Sequence, residues 1–233
     1  HHERLERSCR VLGLPAPSFE TFIETIKLAV VENHDPEIQC LYLRPLVFSA
    51  TGGIMPEQSG DYVFAVLCAE MDLANRDIRL MVEMENPRTV PLFSEVKTAT
   101  NYTSSALINR RALASGYDSV LWLDRDGFVT ECTTMNVFMY IDGEVVTPSE
   151  TGILSGITRK TMIPLLADAD EHVVVKDLHV DEVIDGMASG ALSYMFTTST
   201  ALGINKVTTV SHKGTEYRIE GNGPAGLGPA VAT

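Results

Sequence analysis

Cysteine is scarce and scattered in this chain: Cys9, Cys40, Cys68 and Cys132 lie far apart and form no Cys-x-x-Cys pair. Neither a disulfide framework nor a cysteine metal site is expected, so no metal is assigned and a reducing, cytoplasmic setting is the default. Long apolar runs are lacking too. The longest are strand-sized, far short of the roughly 20 residues a membrane-spanning helix needs. The opening residues carry no secretory signal pattern. Positive charge is also in short supply, with 18 Lys and Arg against 31 Asp and Glu and a formal net charge of −13. That balance repels nucleic-acid phosphate and anionic lipid headgroups, so no nucleic acid and no membrane is expected as a partner. An anionic small molecule is admissible only where a few cations and backbone N–H groups converge.

What is present suits a packed protein: 233 residues, 45% hydrophobic and 21% charged, enough for one large domain or two smaller ones. Leu5, Cys9 and Leu12 recur at helical spacing until Gly13 and Pro15 stop the run. Ser18 can cap a second helix whose face carries Phe19, Ile23, Ile26 and Val30, ending at Asn33. Strands fit Ile38 to Ser49, Tyr62 to Ala69 and Ile78 to Met84. Asn86-Pro87-Arg88-Thr89-Val90-Pro91 has two prolines and no periodicity, which marks a linker. The expected organisation is a small α/β domain over 1–86, a linker over 87–93 and a larger domain over 94–233. In the latter, a helix from Ser104 to Ser115 closes on Gly116, and Asp126-Gly127 and Asp142-Gly143 mark turns between strands Val120 to Asp124, Val137 to Ile141 and Val145-Val146. A helix capped by Thr158 runs to Leu166. Then come strand His172 to Lys176, a helix near Asp181 to Met187, strand Tyr194 to Thr197 and a strand pair over Asn205 to Tyr217.

Three features carry chemistry. Gly156-Ile157-Thr158-Arg159 at a helix start exposes N–H groups at the positive end of a helix dipole, which suits a phosphate, although a plain capped helix is the more frequent meaning of such a start. Thr197-Thr198-Ser199-Thr200 places four hydroxyls after an apolar strand, an anion-binding end or a plain polar turn. Lys97 sits among small and hydroxylic neighbours, as an amine nucleophile or as a solvated surface charge. Together they supply an amine and two anion-binding turns in one domain.

In sequence order, Val96-Lys97-x-x-x-Asn101-Tyr102, Gly116-Tyr117-Asp118-x-Val120-Leu121-Trp122-Leu123-Asp124, Thr130-Glu131-Cys132-Thr133-Thr134-Met135-Asn136-Val137-Phe138, Val146-Thr147-Pro148, Ile153-Leu154-Ser155-Gly156-Ile157-Thr158-Arg159 and Thr200-Ala201 resemble the motifs of the fold-type IV (class IV) pyridoxal-phosphate enzymes, and most closely those of the branched-chain amino acid aminotransferases. Upstream, His1-x-x-Arg4-Leu5-x-x-Ser8 and Tyr42-Leu43-Arg44-Pro45-Leu46 resemble that family's phosphate-arginine helix and branched-chain substrate strand, so the resemblance runs from His1 to about Gly223. It implies an α+β fold of two domains, a small α/β domain and a larger pseudo-barrel domain, with pyridoxal 5'-phosphate as cofactor.

By this resemblance Lys97 forms the Schiff base with the cofactor and acts as general acid and base on the substrate Cα proton, tasks that suit a primary amine whose pKa falls on desolvation. Glu131 holds the pyridine nitrogen protonated, which makes the ring an electron sink. Tyr102 donates to the phenolic oxygen. Arg4, Ile157, Thr158 and Thr200 hold the phosphate. The Thr200-Ala201 turn meets the substrate α-carboxylate, while Tyr42 and Arg44 meet the side-chain carboxylate of glutamate. Plain alternatives stand beside these roles: a core tyrosine at 102, a rim charge at 131, a surface arginine at 4 and a structural ion pair at Arg44.

The implied activity is transamination between a branched-chain L-amino acid and a 2-keto acid, with glutamate and 2-oxoglutarate as the exchanging pair. The partners are those amino and keto acids, and a homodimer or higher homo-oligomer is implied. Some residues depart from the pattern. Ala99-Thr100 stands where a Gly-Gly is usual, and Thr198-Ser199-Thr200 where Gly-Ser-Gly-Thr or its shorter form is usual. The hydroxyl-rich version is similar to the D-amino acid transaminases, so a D-amino acid or (R)-amine transaminase is the alternative. An aminodeoxychorismate lyase is disfavoured by the Tyr42 to Leu46 strand, and a non-catalytic carrier by the joint presence of Lys97, Tyr102 and Glu131. The family's first small-domain strands and closing helix are expected to be absent from this chain.

Overall fold

The computed structural model describes residues 1–51, 61–71, 76–89, 96–224 and 227. The chain divides into two compact units, His1–Leu73 and Ala74–Thr233.

In the first unit, α1 (His2–Leu12) ends where Gly13 takes a left-handed φ of 69° and returns its N–H to Arg10. A residue with a Cβ resists that conformation, so glycine is the natural stop. The helix α2 (Phe19–Glu32) starts at Ser18, whose hydroxyl accepts from the Thr21 N–H at 3.1 Å, the cap anticipated for it. Two antiparallel strands follow, β1 (Leu41–Ser49) and β2 (Tyr62–Glu70), in register from Leu41 opposite Glu70 to Ser49 opposite Tyr62. Phe22 of α2 stacks on Phe64 of β2 with ring centroids 5.9 Å apart, fixing helix to hairpin.

The second unit is built on a mixed eight-stranded sheet. Its strands are β3 (Ile78–Glu83), β4 (Ser119–Trp122), β5 (Asn136–Ile141), β6 (Glu144–Pro148), β7 (Val173–Lys176), β8 (Leu192–Ser199), β9 (Gly203–His212) and β10 (Thr215–Arg218). They lie in the order β4-β3-β9-β8-β5-β6-β7, with β10 paired to β9. The helices are α3 (Asn101–Ala114), α4 (Ile157–Asp168) and α5 (Val180–Ser189). Alternation along the strands sends side chains to two apolar layers. Val137 and Met139 of β5 and Met195 of β8 join Val183 and Met187 of α5. Phe138 and Phe196, from the same two strands, join Met162 and Leu166 of α4. On β4, Val120 and Trp122 pack with Ile108 and Ala112 of α3. Helices thus cover both faces of the sheet.

Most elements fall within a few residues of the sequence expectation, with two differences of substance. Strand β3 does not complete the small domain. It runs parallel to β4 on one side and to β9 on the other, and Ile78, Leu80 and Val82 are buried between them. A strand with partners on both edges belongs to the sheet that supplies them, so the division of the chain lies upstream of the expected 87–93 linker. Of that linker, residues 90–93 lie outside the described residues, and Arg88 is already fixed, its N–H donating to Leu123 O at 2.7 Å. The second difference is at α4. Gly156, not Thr158, is the cap residue, and Thr158 lies inside the first turn. The Asp142-Gly143 turn behaves as read: φ of 50° and 84° at its two residues gives the left-handed pair that closes a tight hairpin between β5 and β6.

The Phe138 and Phe196 rings face one another across the β5–β8 ladder, centroids 4.9 Å apart and nearly parallel, and both are fully buried. Phe138→Ala leaves a cavity that the sheet cannot close, so unfolding free energy falls by about 3–5 kcal/mol. Urea titration followed by the fluorescence of Trp122, the single tryptophan, measures it.

Candidate active site

A buried carboxylate organises the functional end of the second unit. Glu131 follows the short segment that pairs back on β4, with Trp122 N–H donating to Glu131 O at 2.9 Å. Its side chain is 8% exposed and meets Arg88, 10% exposed, with Nη2 2.6 Å from Oε1. Its other oxygen, Oε2, accepts from the Leu154 N–H and from Asn136 Nδ2, each at 3.0 Å. Asn136 uses its second amide hydrogen on Leu154 O at 3.0 Å. Burial pushes the Glu131 carboxyl up to about 7, and the pull of Arg88, the Leu154 N–H, Lys97 and Arg159 works against that rise. Next to it the fully buried Cys132 thiol is pushed up by burial and by Glu131, which keeps it protonated and inert.

The same contacts place the start of α4. Arg88 Nε donates to Gly152 O at 2.8 Å, so the 152–156 loop is held by Arg88 at one end and by Glu131 and Asn136 at the other. A Cβ on Gly156 would come within 2.0 Å of Asn136 Oδ1, so only glycine fits where the loop passes β5. No side chain caps the helix there, and the N–H groups of the first turn, Ile157 and Thr158 among them, point forward from a 12-residue dipole. Behind that turn Arg159, 1% exposed, donates to Thr147 Oγ1 and Pro148 O at 3.2 and 2.7 Å. Burial pulls its pKa down, while Glu150 resists.

Strand β8 runs two residues beyond the expected end, so Thr197 and Thr198 are buried strand residues and the turn begins at Thr200. Thr198 lies opposite Asn136 in the ladder, which brings the end of β8 beside the Glu131–Asn136–Gly156 group. The Thr198 and Ser155 hydroxyls are buried without a hydrogen-bond partner among the described residues. Ser199 Oγ accepts from the Leu202 N–H at 2.9 Å and shapes the Thr200-Ala201 turn.

Lys97 lies just before α3 and donates from Nζ to the Tyr102 hydroxyl, with the ammonium 4.9 Å from the Tyr102 ring centroid. Its residue is exposed, yet its charge is near enough to pull on Glu131. Beside Tyr102 a cavity of about 290 Å³ opens, lined by Ser105, Asn109, Ser119, Thr133 and Leu202 among others. Of the residues singled out from the sequence, Lys97, Tyr102, Glu131, Ile157, Thr158, Thr200 and Ala201 belong to this unit. Arg4 on α1 and Tyr42 and Arg44 on β1 belong to the first. Tyr42 and Arg44, two apart, point to one face of their strand. Arg88, Asn136 and Arg159 are site residues that the sequence does not mark: Arg88 falls in the proline-flanked linker stretch, and Asn136 and Arg159 lie inside motifs that attach no role to them. Among the described residues, no cluster of His, Cys, Asp and Glu could hold a metal, and no helix is long and apolar enough to cross a membrane.

A family described as amino-transferase class IV matches residues 1–210. Branched-chain-amino-acid transaminase 1 of Bacillus subtilis (strain 168) is 33% identical over 237 residues, covering 96% of this chain; the chain spans 66% of that relative's length. The crystal structure of the branched-chain aminotransferase from Thermoproteus uzoniensis with norvaline is 26% identical, with a TM-score of 0.86 over 100% of this chain and 76% of that one. An aminotransferase from Brucella abortus bound to the cofactor PLP is 25% identical, with a TM-score of 0.82 over 100% of this chain and 81% of that one.

The raised Glu131 pKa carries a sign. Between its usual value of 4.5 and about 7 the folded protein keeps a proton that the unfolded chain releases. This carboxyl therefore lowers stability as pH rises through that window, and adds no further change above it. Glu131→Gln cannot titrate. Its stability relative to the parent, both without cofactor, should rise by about 2 kcal/mol between about pH 5.5 and about pH 8, read by urea unfolding.

Proposed function

The chain belongs to the class IV aminotransferases, and from that membership we propose that it moves the amino group of a branched-chain L-amino acid to a 2-keto acid with pyridoxal phosphate, glutamate and 2-oxoglutarate being the exchanging pair. The observation that carries the reading is the conjunction, in one unit, of an amine on a tyrosine (Lys97–Tyr102), a buried carboxylate beside it (Glu131) and an uncapped helix start (Ile157-Thr158) tied to that carboxylate through Leu154.

These residues fit the cofactor. Glu131 has four lone-pair directions and uses three, one on Oε1 for Arg88 and two on Oε2 for Leu154 and Asn136, which leaves one acceptor for a protonated ring nitrogen. The buried, unpartnered hydroxyls of Ser155 and Thr198 and the uncapped α4 turn are the kind of donors a phosphate uses. When bound, pyridoxal phosphate supplies a carbonyl that accepts the amino group and a ring that spreads the electron pair left at the substrate Cα. The protein's own groups then divide the work. Lys97 Nζ would hold the cofactor at that carbonyl and would take and return the Cα proton, held in line by the Tyr102 hydroxyl. Glu131 keeps the ring nitrogen protonated. The Ile157 and Thr158 N–H groups and the Thr200 hydroxyl hold the phosphate, and the Thr200-Ala201 turn holds the α-carboxylate. The working assembly proposed is a cytoplasmic homodimer or higher homo-oligomer. The relatives do not favour the D-amino acid or (R)-amine alternative.

The test uses the cofactor's visible absorbance. Protein loaded with pyridoxal phosphate should lose its visible band on addition of L-leucine and regain it with 2-oxoglutarate, while D-alanine leaves it in place. Bleaching by D-alanine and not by L-leucine would overturn the substrate class. Lys97→Ala should lower turnover of L-leucine by at least about 10²–10⁴-fold in a coupled assay for glutamate, since it removes both the covalent anchor and the proton carrier.

A further inference from the structure

Arg88 belongs to none of the recognisable motifs, yet it is held from several sides in the second unit's site. Its N–H donates to Leu123 O at 2.7 Å, its Nε donates to Gly152 O at 2.8 Å, and its guanidinium lies 5.3 Å from the Trp122 ring centroid. Trp122 is itself pinned, its Nε1 donating to Asn86 O at 2.7 Å. Backbone, aromatic face and loop carbonyl thus fix the guanidinium before it meets Glu131. A planar fork held this way delivers charge along one direction, which a flexible ammonium does not.

That direction matters because of what it leaves open. Arg88 takes one side of Oε1, while Leu154 and Asn136 take both acceptor directions of Oε2. A carboxylate this deeply buried, left without its cation, takes up a proton rather than stay charged. Once protonated it becomes a donor, and a donor cannot hold a proton on a ring nitrogen. The other charges that face Glu131 are Lys97 and Arg159, and the Cys132 thiol beside it stays neutral. Arg159 is committed to Thr147, Pro148 and Glu150, and Lys97 to Tyr102. A buried ion pair is seldom worth more to folding than a well-packed apolar pair of the same size. A pair that leaves one acceptor direction open is better explained by what that acceptor serves.

We infer that Arg88 is a positioning residue for the transamination proposed above: its guanidinium favours the charged form of Glu131 against burial and turns the carboxylate so that the open side of Oε1 faces the cofactor's ring nitrogen. The identity of the ring rests on that functional reading. The effect of Arg88 on Glu131 does not, so the two can fail separately.

The experiment follows the side-chain carboxyl of Glu131 by carbon-13 NMR in protein free of cofactor, with glutamate labelled and E131Q used to assign the signal. In R88M and R88Q the titration midpoint of Glu131 should move upward by about one pH unit or more. In R88K, which keeps the charge but not the fork, it should return most of the way. In the loaded protein, R88M should lower kcat for L-leucine by about 10- to 100-fold, the range found when the outer partners of a bound group are removed. KM for the amine should stay within about threefold, because uniform binding is untouched. A purely structural role would lower Tm and leave the Glu131 midpoint where it was. That result in a folded R88M or R88Q overturns the inference. Should neither neutral variant fold, R88K decides on the fork alone: a kcat equal to the parent's overturns the inference, and a lowered kcat at unchanged KM, with the Glu131 midpoint close to the parent's, upholds it. If the parent takes up no pyridoxal phosphate, the functional reading falls, and the titration still judges Arg88.

Discussion

Removing a carboxylate from water is among the costliest acts in folding, several kcal/mol even after relaxation, and the second unit is arranged around one that was removed. Glu131 is bearable inside because Arg88, the Leu154 N–H and the Asn136 amide replace the water it lost. Each of those donors comes from a different stretch of chain: the segment after β3, the loop before α4 and the first residue of β5. None can shift without leaving a buried charge short of a partner. The carboxylate therefore acts as a knot, and segments that share no sequence proximity are held in register by it.

The start of α4 inherits its place from that knot. Leu154 is held at both its N–H and its carbonyl, Gly152 by its carbonyl, and Gly156 by the absence of room for a Cβ against Asn136. A cap such as Ser or Asp would have filled the helix's first-turn N–H groups from within. Glycine at that position leaves them available to an outside anion. Steric necessity at Gly156 and the open first-turn N–H groups of Ile157 and Thr158 thus follow from one constraint, and the buried carboxylate and the helix start are coupled through two residues of loop.

The parts of this arrangement that can be read along the chain are those with local cause. Asp142-Gly143 announces its turn because two left-handed residues are needed in succession, and Ser18 announces its helix because the hydroxyl reaches its own third residue. Lys97, Tyr102 and Glu131 are recognisable through their neighbours in sequence. What is not readable acts at a distance. Strand β3 looks like a third strand of the small domain, since its alternation says only that it is buried; its partners β4 and β9 begin about 40 and 125 residues later. The hydroxyl run that ends the strand looks like a turn from Thr198 on, but the ladder to β5 claims Thr198 first. Thr158 looks like a cap because Thr often is one, and the helix instead begins a residue after Gly156. Arg88, in a proline-flanked stretch without periodicity, gives no local sign of its partners at Gly152 and Glu131.

The overall charge of −13 makes the placement of the few cations informative. Electrostatic reach in physiological salt is about 8 Å between exposed charges, while a buried group is screened far less. Arg88, Lys97 and Arg159 all pull on Glu131, so the site is cationic locally inside an acidic molecule. A phosphate and a carboxylate approaching the protein meet repulsion nearly everywhere else. Selectivity for small anions then needs no large basic surface, only cations held where burial amplifies them. Arg88 and Arg159 meet that condition, while Lys97, exposed and held on Tyr102, adds its pull from a solvent-facing position.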